Sequence, residues 1–218
     1  MSNDADHLGV WQPWLPREVA SFFSALAVPW WIAGGWSLDL FMGSQTRDHD
    51  DIDIEFLRRD QQAVRSILHG WDIQEAHPEL SSNWPFREWK LGRHLSFDVH
   101  DVWCRPSKAA PWTFQLMVAD IDNDQWLFRR DARISRPLAT IGRRTDDGIP
   151  YLTPEIQLLY KAKAPRPKDA DDFARTLPYL DRESRQWLAQ TLAFVHPGHP
   201  WLIQLEGRDM KGEVKPEL

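Results

Sequence analysis

Two adjacent glycines, Gly34 and Gly35, separate an apolar run ending at Ala33 from a segment, Trp36 to Met42, with the character of a short helix closed by Gly43. Glycine has no Cβ, so a chain carrying two of them can turn sharply and come close to a bound group. The amides that open the following helix then point at an anion. Shortly afterwards comes Thr46-Arg47-Asp48-His49-Asp50-Asp51-Ile52-Asp53-Ile54. The part from Asp51 reads as a strand: at period two, Asp51 and Asp53 share one face while Ile52, Ile54 and Phe56 enter the core. Paired carboxylates repel each other unless a cation lies between them. Such an oxygen pair suits Mg2+, which takes one or two carboxylates and completes its shell with water and phosphate oxygens. A phosphate-approaching turn beside a carboxylate pair points to chemistry on a nucleoside triphosphate. Arg47 is placed to clamp a phosphate bidentately, or to pair with Asp48 or Asp50. His49 is placed to bond a phosphate or an acceptor, or to brace the carboxylates. Asp39, inside the short helix, reads as a structural hydrogen-bonding residue holding the loop before the strand. Glu55 falls on the face of Asp53 and reads as solvated.

The run Gly34-Gly35-Trp36-Ser37-Leu38-Asp39, followed in order by Thr46-Arg47-Asp48-His49-Asp50-Asp51-Ile52-Asp53, resembles the signature of the aminoglycoside and lincosamide nucleotidyltransferases. It is most similar to the 2''-type aminoglycoside adenylyltransferases of the polymerase-beta-like nucleotidyltransferase superfamily. The resemblance is dense over residues 30 to 56. It implies an α+β fold: a small mixed sheet flanked by helices, with a C-terminal helical portion. It also implies transfer of a nucleoside monophosphate, AMP from ATP, to a hydroxyl of a small acceptor with Mg2+ bound. Carried onto this sequence, Asp51 and Asp53 are metal ligands, and Gly34, Gly35 and the Ser37 hydroxyl contact the β and γ phosphates, helped by Lys161 or Arg47, with His49 as a further nucleotide-side candidate. The resemblance further implies a third carboxylate from a later strand. Leu95-Ser-Phe-Asp-Val-His100 alternates as a strand would, so Asp98 is the choice, as metal ligand or general base, with Asp101 as the alternative. Pro154 to Lys163, then Arg166 to Asp169, resembles the C-terminal motif of relatives, with Lys161 as the cation that reaches the triphosphate and Lys163 and Lys168 as competitors.

Composition narrows the alternatives. The 218 residues suffice for a proper core. A catalytic domain over residues 1–149 and a helical region over 150–218 are expected, because composition shifts near Pro150. The net charge of −6 is not the footprint of a protein that grips long nucleic acid through its phosphates, and it suits a small cationic acceptor. The single cysteine, Cys104, excludes an internal disulfide and fits a reducing cytoplasm; it reads as a small strand residue. No apolar run reaches membrane-spanning length, and no secretory signal is visible. A P-loop, a dinucleotide fingerprint and zinc spacings are all absent. Asp120, Asp122 and Asp124 alternate like a calcium loop but lack its glycine and terminal glutamate, so they read as a solvated turn. Two rival functions remain open: nucleotidyl transfer to a protein or tRNA, as in toxin-type relatives, and non-catalytic nucleotide binding by the same fold.

Overall fold

The computed structural model describes residues 8–77 and 85–207. The chain divides between Leu152 and Thr153 into two compact units. In the first, α1 (Pro16–Phe22) leads to β1 (Trp30–Ile32), α2 (Gly34–Met42), β2 (Asp53–Leu57) and α3 (Gln61–Ile67). Eight more strands follow: β3 (Asp72–Ala76), β4 (Phe86–Glu88), β5 (Asp101–Arg105), β6 (Phe114–Asp122), β7 (Gln125–Leu127), β8 (Ser135–Pro137), β9 (Gly142–Arg144) and β10 (Pro150–Leu152). The main path of the mixed sheet runs β4-β3-β5-β6-β2-β1-β10-β9, with β7 paired to β6 and β8 paired to β7. β2 is central, parallel to β6 and antiparallel to β1.

Period two sorts β2 as expected. Ile52, just before the strand, with Ile54 and Phe56, enters one core with Val19 and Phe23 of the first helical stretch and Val64 and Leu68 of the third. All of these side chains are fully buried. Asp53 and Glu55 therefore take the other face. Paired residues on neighbouring strands share a face, so the register fixes what joins them. Asp53 pairs with Gln115 of β6, and Gln115 with Trp103 of β5; Glu55 pairs with Met117, and Met117 with Asp101.

Two local features differ from the alternation read in the sequence. The diglycine is not a linker ahead of the helix: α2 begins at Gly34 itself, and Gly43 closes it in the left-handed conformation. Residues 95–100 are not a strand. Val99 N–H donates to the Ser96 carbonyl in a turn, and the buried Arg58 guanidinium donates to the carbonyls of Ser96 and Val99 at 2.7 and 3.1 Å. Those carbonyls are satisfied by a side chain, so β5 starts only at Asp101. The same guanidinium binds Asp120 at 2.6 and 3.0 Å, anchoring the turn to β6. The Asp122–Gln125 corner is a hairpin turn in which Asn123 and Asp124 both have positive φ, the pattern of a type I′ connection. The polar loop read over Pro78 to Asn83 and the tail after residue 207 lie outside the described residues.

The second unit is helical: α4 (Pro154–Lys161), α5 (Pro167–Thr176), α6 (Arg182–Val195) and α7 (Trp201–Glu206). Pro154 and Pro167 occupy first-turn positions, where a missing N–H costs nothing. Asp181 caps α6 by accepting from Ser184 N–H at 2.8 Å. Phe173 of α5 stacks on Trp201 of α7 at 4.2 Å between ring centroids. Pro150–Leu152 belongs to the sheet as β10, so the first unit extends past residue 149.

Candidate active site

The site is built where β1 hands over to α2 and β2 begins. Gly34 sits at φ +65°, a conformation that favours glycine, and a Cβ there would fall 2.1 Å from Asp53 Oδ2. A Cβ on Gly35 would fall 2.3 Å from Arg47 Nη2 and 2.6 Å from the His49 ring. Both glycines are thus required for close approach: one seats a carboxylate against the start of α2, the other seats Arg47 and His49. Asp53 is half-buried at the head of β2. Asp51, two residues earlier and half-buried, lies just before the strand and makes no hydrogen bond or ion pair among the described residues.

A brace holds the intervening loop. Asp39, buried in α2, accepts from Thr46 Oγ1 at 2.7 Å through one oxygen and pairs with His49 Nε2 at 2.6 Å through the other. Trp36 stacks on His49 at 4.4 Å and 29°. His49 is almost fully enclosed, 2 % exposed at its side chain, so it supports the loop that carries Arg47 and Asp51 and does not face an open cavity. Arg47 Nη1 donates to the Asp48 carbonyl at 2.9 Å.

Three expectations are corrected by position. Ser37 is fully buried and its hydroxyl donates to the Gly34 carbonyl at 2.9 Å, a bond within the helix that faces no phosphate. Asp98 does not join Asp51 and Asp53. It lies in the turn held by Arg58, two-thirds exposed, with His77 Nδ1 at 3.8 Å as its neighbour, because the strand that was to present it begins three residues later. Lys161 is not an available cation: it lies 2.8 Å from Asp169 and 2.9 Å from Asp172, and its side chain is 7 % exposed. Its charge is satisfied within the second unit.

The acid that the sheet does bring to the face of Asp53 is Asp101, at the start of β5. Its Oδ1 accepts from Gln115 Nε2 at 3.0 Å, and Gln115 is the residue paired with Asp53. Arg129 Nη1 lies 3.4 and 3.5 Å from the two Asp101 oxygens. Glu55 is also on this face, but it is buried rather than solvated and accepts from Trp126 Nε1 at 3.2 Å. Burial pushes its carboxyl up to about 7, against the Trp126 hydrogen bond and the Arg129 charge, while Asp53 adds to the rise. Gln115, Trp126 and Arg129 were not visible as site residues in the sequence, since only the pairing of β6 brings them to β2.

Among the described residues no three His, Cys, Asp or Glu side chains converge as a ready metal cage. The donor set is nonetheless that of Mg2+: two carboxylates one strand residue apart, oxygen only, one of them without an internal partner. Mg2+ binds in this way when water and phosphate complete its shell.

A mixed sheet with a diglycine turn closed on the carboxylate of its central strand defines a protein of the nucleotidyltransferase fold. The model of the family described as aminoglycoside-2''-adenylyltransferase matches residues 17–175, and the chain belongs to that family. It is 29 % identical over 86 residues to a lincosamide resistance protein of Staphylococcus haemolyticus, covering 38 % of this chain and 50 % of the relative. It is 55 % identical over 51 residues to a 2''-aminoglycoside nucleotidyltransferase of Klebsiella pneumoniae, 22 % of this chain and 29 % of that one. The chain thus spans half or less of the length of these curated relatives. Two solved structures share the fold. The lincosamide antibiotic adenylyltransferase LnuA, lincomycin-bound, has a TM-score of 0.51 and 20 % identity over 75 % of this chain and 95 % of that one. ANT(2")-Ia in complex with adenylyl-2"-tobramycin has a TM-score of 0.51 and 15 % identity over 80 % of this chain and 92 % of that one.

Proposed function

We propose that this chain moves AMP from ATP to a hydroxyl of a small, amine-bearing molecule of the aminoglycoside or lincosamide kind, releasing pyrophosphate. The observation that carries the reading is the close approach of Gly34 to Asp53, which brings the first amides of α2 and a carboxylate to one point. Asp51 and Asp53 would hold Mg2+. When bound, the ion would neutralise the triphosphate and stabilise charge on the departing pyrophosphate. The amides at Gly34 and Gly35 and the Arg47 guanidinium would orient phosphate oxygens.

Asp101 takes the place first given to Asp98. Its Oδ2 would receive the proton of the acceptor hydroxyl, while Oδ1 stays fixed by Gln115. The acceptor oxygen forms its bond to the α-phosphorus as the bond to pyrophosphate breaks, and Asp101 later releases the proton to water. The two solved neighbours hold lincomycin and an adenylylated tobramycin, which supports a small-molecule acceptor for this chain.

The test is incubation of the protein with ATP, Mg2+ and a panel of aminoglycosides and lincosamides, read by pyrophosphate release and mass spectrometry. The expected product is one acceptor heavier by an adenylyl group. Adenylylation of protein or tRNA, with no small acceptor modified, would move the assignment to macromolecular transfer. ATP binding without pyrophosphate release on any acceptor would leave a binding protein.

A further inference from the structure

We infer that Arg129, in the loop joining β7 to β8, is a positioning residue for the transfer reaction: it sets the carboxylate of Asp101 and is itself set by a buried bond from β7 to β2. The inference rests on the reaction proposed above and adds to it a group that no spacing in the sequence marks.

The loop that delivers Arg129 is closed by its own hydrogen bonds. Phe128 N–H donates to the Ile134 carbonyl at 2.9 Å, and Ile134 N–H to the Asp131 carbonyl at 3.0 Å. Arg133 closes on both oxygens of Asp131 at 2.8 and 2.6 Å. Trp126, fully buried in β7, pairs with Ile121 of β6 and Arg136 of β8, and its indole N–H donates to Glu55 of β2 at 3.2 Å. Glu55 is itself buried, and an acid out of water is costly to keep. Its bond to Trp126 ties the hairpin to the strand that carries Asp53, so Arg129 starts three residues from a fixed point.

The side chain then meets Asp101. It is 18 % exposed, and its Nη1 lies 3.4 and 3.5 Å from the two Asp101 oxygens. A bidentate guanidinium–carboxylate fork is shorter, about 2.7–2.9 Å. One nitrogen shared at the longer distance orients the carboxylate without tying up its lone pairs. Gln115 fixes Oδ1 at 3.0 Å, and Oδ2, the proposed proton acceptor, has Arg129 as its partner. Charge explains why a cation is needed here. The register puts Glu55 and Asp101 on either side of Met117 on one face, with Asp53 one pair further along. Acids on one face repel, and the Arg129 charge acts on Glu55 as well as on Asp101. Without that cation the Asp101 carboxylate is pushed away from Asp53.

The test is steady-state kinetics, per folded protein, on Arg129→Met, Arg129→Lys and Arg129→Met combined with Asp101→Asn, using ATP, Mg2+ and the acceptor that the parent modifies. Arg129→Met should lower kcat about tenfold and leave KM for ATP within about twofold, since a base out of line slows the chemical step and not nucleotide binding. Arg129→Lys should recover most of the loss, because a single nitrogen makes the contact. In the Asp101→Asn background the change to Met should cost less than about twofold, because the group that Arg129 sets is already gone. Full activity in Arg129→Met, no recovery in Arg129→Lys, a tenfold loss that persists in Asp101→Asn, or a rise in KM for ATP at unaltered kcat would overturn the inference and leave the transfer reaction standing. A parent that transfers nothing to any acceptor would remove that reaction, and the role of Arg129 with it.

Discussion

Two clusters of acids in this chain face opposite tasks. At the head of β2, Asp51 and Asp53 stand one strand residue apart, half-buried, with a glycine turn pressed against one and no internal partner on the other. In the second unit, Asp169 and Asp172 are buried and close on one ammonium group at 2.8 and 2.9 Å, and Arg166 adds a further hydrogen bond to Asp169 at 2.8 Å. The first cluster has oxygen donors left over; the second has its charge met from within. Spare donor capacity marks a place for something from outside, and saturation marks a fastening. The same residue types thus give a candidate reactive centre in one place and a structural clamp in the other.

The largest effect should come from emptying the first cluster. Asp53→Asn keeps the shape and one oxygen but removes the charge, and transfer should fall by about a thousandfold or more. Thermal unfolding should change far less than transfer, since Asp53 is half-buried at the head of β2 and the substitution keeps its shape. A stable, fully active Asp53→Asn protein would put the two clusters on the same footing.

Lys161→Met is the mirror experiment. It leaves two buried carboxylates without their cation, for which a loss of about 3–5 kcal/mol is expected, roughly 10 °C or more in Tm for a chain of this size. The KM for ATP of the folded fraction should be unchanged; a rise in KM with unaltered Tm would return Lys161 to the triphosphate. The clamp also sets a pH dependence. Burial raises the Asp169 carboxyl, but hydrogen bonds from Arg166 and Lys161 outweigh it and hold the group well below the usual carboxylate range. A depressed folded value stabilises above the unfolded value near 4 and loses that stability as pH falls below it. The acid limb of Tm against pH should therefore be shallower in Lys161→Met than in the parent.

Asp101→Asn tests whether the open cluster recruits a third acid. As the proton acceptor it should cost about a hundredfold in kcat, while KM for ATP stays put. His49→Ala should cost less. It removes a charge-assisted bond to Asp39 and the stack on Trp36, about 2 kcal/mol in stability, with a rise in KM for ATP as Arg47 loses its support. An unaltered KM would detach the brace from the phosphate side.

The contrast also explains what the sequence could tell. Much of residues 30 to 56 was legible because glycine freedom and the period of a strand are local properties: the turn at Gly34 and Gly35, the face taken by Asp53 and the bracing role of Asp39 could be read there, whereas the burial of Ser37 could not. The third carboxylate was not local. Phe97 and Val99 alternate as strand residues would, yet a single buried arginine forty residues earlier in the chain takes up the carbonyls of that segment. Nothing near Arg58 in the sequence marks it as that anchor, because its carboxylate partner, Asp120, comes from β6. Glu55 failed for a related reason: period two gives its face, but only Trp126 and the hairpin after β6 bury that face. The Lys161 cluster is an intermediate case, in which the lysine was picked out but its capture by Asp169 and Asp172 was not.

The smallest expected effect is the most discriminating for the geometry of the site. Asp98→Asn alters an exposed side chain, in a turn fastened by Arg58, with the His77 ring nitrogen Nδ1 at 3.8 Å. With the strand beginning at Asp101, Asp98 is displaced along β5 toward the Arg58 end, away from the row that contains Asp53, Gln115 and Trp103. Transfer should change by less than about twofold, as for a surface charge screened by water. Because Asp98 and Asp101 are three residues apart in one segment, a slip of the turn onto the strand is the one rearrangement that would exchange them. In that event Asp98→Asn would abolish transfer, and Asp101→Asn would be silent. Measuring both variants under the same conditions decides which of the two acids belongs to the open cluster.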